Sequence, residues 1–93
     1  MGKRPRLIPE RLPAKLLAIR EHLKLSQSEI CNLLNFDVTP ARISEYEHAV
    51  REPNLLVLLS YSEIARVHME TLVDDRVSLR RFRDALQRRK RLR

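Results

Sequence analysis

The segment from Leu25 to Pro53, LSQSEICNLLNFDVTPARISEYEHAVREP, constrains the fold more than any other part of this chain, because it carries two helix starts in close succession. Ser26 followed by Glu29 is a capping box: the serine side chain accepts from the backbone N–H three residues on, and the glutamate side chain accepts from the serine N–H. Ile30, Leu33 and Leu34 recur behind it, predicting a helix of about two turns with Asn35 as its left-handed terminating residue. Thr39-Pro40 is the second start, a capping hydroxyl followed by a proline whose missing N–H is no loss at the first helical position. In the helix that follows, Ile43, Tyr46 and Glu47 stand at i, i+3 and i+4 and define an inward face. Arg42, Ser44 and Glu45 point the other way. Phe36-Asp37-Val38 forms the turn between the two helices, with Phe36 directed inward, and Pro53 closes the loop beyond.

The flanks supply the rest of a bundle. A first helix begins near Pro13 and carries Leu16, Leu17, Ile19, Leu23 and, on its margin, Arg20 at helical spacing. Asn54 caps a fourth helix whose run LLVLLSYSEIA would also suit a buried strand by periodicity alone. The cap, the leucines and Glu63-Ile64-Ala65 decide for a core helix. His68 to Val73 forms a short fifth helix ending in Asp74-Asp75. With 43% hydrophobic residues, five Pro, one Gly and no Trp in 93 residues, the chain is too apolar for general disorder. It is also too poor in turn residues for a multistranded β-fold, so the expectation is all-α. Three units are expected: a basic N-terminal arm over residues 1–12, a five-helix domain over 13–75, and an arginine-rich tail or appended helix over 76–93.

Charge is unevenly spread along the chain. The formal net charge is +7, but from Leu25 to Asp75 nine carboxylates face only Arg42, Arg51 and Arg66. Seven cations stand against Glu10 and Glu21 before this stretch, and nine against Asp84 after it. The basic ends point to an anionic partner, and the middle does not.

Several classes of function are disfavoured. His22, His48 and His68 fall in three separate elements with no acid or cysteine at ligand spacing, and a chain with one glycine has no glycine-rich phosphate loop. No catalytic residue, metal or cofactor is expected, nor a small-molecule effector. Cys31, the single cysteine, falls on an apolar stripe and reads as a small core hydrophobe. No apolar run approaches the roughly 20 residues that span a bilayer, and the first residues lack a secretory leader. A cytoplasmic protein with no membrane partner is expected.

Ser26-Gln27, Glu29-Ile30, Ile43-Ser44, Glu47 and Arg51-Glu52-Pro53, in this order, resemble the Cro and phage-repressor (Xre-type) helix-turn-helix family from about Leu16 to Val73. The resemblance implies a five-helix lambda-repressor-like domain acting as a sequence-specific transcriptional regulator, a repressor, at the nucleoid. Its second motif helix would enter the major groove of double-stranded DNA while the first lies across the backbone. Candidate contacts are Gln27, toward phosphate or an adenine edge; Arg42, toward guanine; Glu45, toward cytosine N4; Thr39 and Ser44; and Arg51, toward phosphate. Lys3, Arg4 and Arg6 would reach the backbone or minor groove. Arg20 and Glu47 match positions that form a structural ion pair, and the family commonly binds palindromic sites as a homodimer. The chain departs from the family in two places. About two extra residues separate Leu34 from Ile43, and His48-Ala49 replaces the usual glycine, where a left-handed alanine would cost about 1 kcal/mol. The alternatives are a protein-interaction module, antitoxin-like or an accessory subunit, and a nonspecific nucleic-acid binder driven by the basic tail.

Overall fold

In the computed structural model the described residues are 9–34 and 37–79. They form five helices, α1 (Leu12–His22), α2 (Gln27–Leu33), α3 (Pro40–Glu47), α4 (Leu55–Ala65) and α5 (Met69–Val73). The arm residues Lys3, Arg4 and Arg6, the turn residues Asn35 and Phe36, and the tail from Arg80 onward lie outside the described residues. Among the described residues no helix is long and apolar enough to cross a membrane.

The start signals are used as written. Ser26 and Glu29 close a reciprocal capping box on α2, at 3.0 Å and 2.8 Å. The Thr39 hydroxyl accepts from the Arg42 N–H, and the Asn54 carboxamide accepts from the Val57 N–H. In α1 the helix begins one residue before Pro13, at Leu12, and its cap comes from far away in sequence. The Asp75 carboxylate accepts from the N–H groups of both Glu10 and Arg11 at 3.0 Å.

The core gathers one stripe from each helix. Leu12, Leu16 and Ile19 of α1 meet Ile30 and Leu34, Ile43 and Tyr46, Val57, Leu58, Tyr61 and Ala65, and Leu72; Leu79 joins from beyond α5. Helix α1 packs on α3 and α5, α2 on α3, and α4 on α5. Among the described residues the core therefore extends from Leu12 to Leu79. Two expectations about the apolar stripes are corrected. Leu33 is 48% exposed; α2 ends at that residue, the chain turns extended at Leu34, and Leu34 takes the inward position. Cys31 is half-buried at the edge of the core, and its partial burial pushes the thiol pKa up.

Three helices end on a non-glycine residue in the left-handed region: Lys24 (φ 58°), Ala49 (φ 61°) and Arg66 (φ 56°). Each sits in a Schellman-type ending, where the following N–H reaches back five residues to a carbonyl: Leu25 to Arg20, Val50 to Glu45, Val67 to Ser62. The alanine that stands in place of the family's usual glycine thus keeps the left-handed geometry and carries its strain.

Candidate nucleic-acid interface

Helix α3 divides cleanly into two faces. Ile43, Tyr46 and Glu47 are buried, as their spacing predicts. Arg42, Ser44 and Glu45 remain on the accessible side, with guanidinium and carboxylate side chains 44% and 34% exposed for Arg42 and Glu45.

The inward face is held by a charged network. Arg20 of α1 grips Glu47 through two parallel hydrogen bonds, Nε to Oε2 at 2.6 Å and Nη2 to Oε1 at 3.0 Å. Its Nη1 also donates to the Leu25 carbonyl, so a single guanidinium ties α1, the α1–α2 turn and α3. The Glu47 side chain is 1% exposed. Burial of a carboxylate is tolerated only with such pairing. The hydrogen bonds that Arg20 donates to Glu47 raise its pKa above the ordinary value. Gln27, in the first turn of α2, donates its side-chain N–H to Glu47 Oε1 at 3.3 Å and joins the same network. The structural pair expected at Arg20 and Glu47 is present, and Gln27 packs beside it, half-buried.

On the outward face the Glu45 carboxylate stands between two arginines. Its Oε1 lies 3.3 Å from Arg42 Nε and 3.4 Å from Arg51 Nε. The Ser44 hydroxyl lies 3.4 Å from His48 Nδ1, which is itself 2.8 Å from the Ser44 carbonyl. Thr39, at the start of the helix, uses its hydroxyl as a cap. Beside these residues a polar cleft of about 320 Å³ opens between the starts of α3 and α4, lined by Asp37, Thr39, Arg42, Tyr46 and Asn54. The structure therefore brings Thr39, Arg42, Ser44, Glu45 and Arg51 together around α3, and places Gln27 at the adjoining edge.

A family model described as helix-turn-helix matches residues 16–72. The chain belongs to the Cro and phage-repressor helix-turn-helix family. Among solved structures it is similar to the P22 c2 repressor protein, crystallised in complex with a synthetic operator. The identity is 25% and the TM-score 0.62, over 69% of this chain and 94% of that one. No curated protein matches the chain.

Some of the residues that tie the bundle together around α1 and α5 carried little or no signal in the sequence. Lys15, 5% exposed, sends its ammonium group to the carbonyls of Thr71 (2.7 Å) and Asp74 (2.9 Å) at the end of α5. Burial lowers its pKa from the usual lysine value, while Asp75 and then Asp74 pull in the opposite direction. The signal was weak but present: Lys15 adjoins Leu16 and is four residues before Ile19, so it lies on the buried side of α1. Asp75, which caps α1, gave no local signal at all, because its partners are 64 and 65 residues away. Tyr61 is fully buried, and its hydroxyl has no hydrogen-bond partner among the described residues. Burial, with the nearby Glu47 charge, raises its pKa far above the ordinary phenol value.

Proposed function

We propose that the protein is a sequence-specific DNA-binding transcriptional regulator, a repressor, that reads the major groove with α3. The observation that carries this reading is the two-faced α3. Its inner side is clamped by Arg20, and its outer side offers Arg42, Ser44 and Glu45 beside Arg51. A guanidinium fork suits guanine O6 and N7 or a phosphate, and hydroxyls suit either. The likeness to a repressor solved with its operator supports the same reading. In it, α2 lies across the backbone with Gln27 and Thr39 near phosphates, while Lys3, Arg4 and Arg6 add backbone or minor-groove contacts.

The protein acts as a homodimer on a two-fold symmetric site, with half-sites about 34 Å apart. Support comes from α4, where Leu55, Leu56 and Leu59 are 69%, 56% and 42% exposed along one side. Three large apolar side chains left in water on one helix face suit a contact with a second copy.

Selection of bound sequences from a random duplex pool tests the proposal. A two-fold symmetric consensus is expected. Absence of any enrichment defeats it, and retention of a protein partner without duplex affinity would favour an interaction module instead.

A further inference from the structure

We propose that Glu45 is a positioning residue that presents Arg42 and Arg51 to DNA as one unit, and that its negative charge holds down their affinity for random sequence. This inference rests on the major-groove reading of α3 given above.

The geometry is specific. A single carboxylate oxygen, Glu45 Oε1, is the ion-pair partner of both guanidinium groups, and each is engaged through its Nε. An arginine has five N–H donors in a rigid fork, and both guanidinium groups are about half exposed, so donors of each remain accessible to a ligand. Glu45 also holds Arg51 through the main chain. Its carbonyl accepts from Val50 N–H at 2.9 Å and from Arg51 N–H at 3.3 Å. The left-handed Ala49 makes that return of the chain possible. Arg51 is thus fixed by both ends of one residue, although it lies outside α3.

The placement spans two clefts. Arg42 lines the polar cleft at the starts of α3 and α4, whereas Arg51 lines an apolar cleft of about 320 Å³ against Pro9, Leu12 and Pro13. Glu45 lies between them and joins the arginines across the ridge of α3. As a stability device the cluster is weak, since all three side chains are a third to a half exposed. Its effect falls on binding. Three side chains that would present two positive charges present a net of one, and a phosphate must compete with Glu45 for each guanidinium. A correctly spaced pair of acceptors can engage both forks together, and an irregular one cannot.

Glu45→Gln, compared with the unchanged protein by fluorescence anisotropy on the selected duplex and on a random duplex over a salt series, tests this. The expected result is a several-fold gain in affinity for the random duplex, with a steeper salt dependence and a roughly tenfold loss of preference for the selected site. Arg51→Lys, which keeps the charge but not the fork, should lose the same preference without the gain on random duplex. A Glu45→Gln variant that loses affinity only for the selected duplex, and only through one base pair, would show direct base readout by Glu45 and overturn the inference. Unchanged binding to both duplexes also overturns it, leaving a surface ion pair. If the unchanged protein binds neither duplex at low salt, the DNA-binding reading itself fails.

Discussion

At the residue scale, stability and function meet in Glu47. Its carboxylate is buried and depends on Arg20 for compensation. Arg20→Ala leaves that charge without a partner and is expected to cost about 3–5 kcal/mol, read as a sharp drop in melting temperature. An unchanged melt would remove the structural role of the pair. Tyr61 poses the opposite case. Its hydroxyl is buried without a described partner, so Tyr61→Phe should be neutral or slightly stabilising in a urea titration, since it deletes an unsatisfied polar group. Ala49 belongs beside them. Its left-handed backbone is costly for any residue with a Cβ, and Ala49→Gly should raise stability by roughly 0.5–1 kcal/mol despite the added freedom of the unfolded chain.

At the element scale, what could be read in advance depended on the range of the determining interaction. The starts of α2, α3 and α4 were legible because serine, threonine and asparagine each bond to an N–H only three residues away. The inward face of α3 was legible because three residues at helical spacing all found the core. Leu33 misled, since an apolar residue in the last turn of a seven-residue helix can face water once the chain bends at the next position. The exchange between α1 and α5 was not legible. Asp75 caps the start of α1, Lys15 caps the end of α5, and both links cross more than fifty residues. Nor did the outer face of α3 announce that Glu45 would take two arginines at once, because Arg51 reaches it only after the chain doubles back.

That exchange has a dependence on pH. Hydrogen bonds from the backbone of Arg11 and Glu10 lower the Asp75 pKa, and the Arg76 side chain and backbone lower that of Asp74 to about 2. A carboxylate whose pKa is depressed on folding contributes stability that is fully present above its unfolded value, near pH ~4, and is lost as pH falls through the folded value. Melting temperature should therefore decline as pH drops from about 4 toward 2. Asp75→Asn should start from a lower melting temperature at neutral pH and decline less steeply. Helix α5 has only five residues and cannot persist alone, so Lys15→Met, which uncaps it, should cost about 1–3 kcal/mol.

At the scale of the whole molecule, the segment proposed to read DNA carries a charge unfavourable for meeting a polyanion. From Leu25 to Pro53, Arg42 and Arg51 stand against Glu29, Asp37, Glu45, Glu47 and Glu52. Under the proposed function, specificity and grip fall to different segments. A chain ending at Leu79 keeps every core residue among those described and should retain its sequence preference. Its affinity should fall and its salt dependence flatten, because the cations from Arg80 onward are gone. Loss of sequence preference along with affinity in that shortened chain would instead mark the tail as the binding agent.

Glu10 and Arg11, near the start of the described residues, sit within hydrogen-bond reach of Asp75, near their end. Among the described residues the fold is therefore almost a closed ring, with a seam between α1 and α5. Opening that ring elsewhere and sealing the seam with a short peptide would permute the order of the helices without moving any of them. The same seam makes a head-to-tail tandem of two copies easy to join, so that the spacing between two copies of α3 is set by the linker and not by the protein surface.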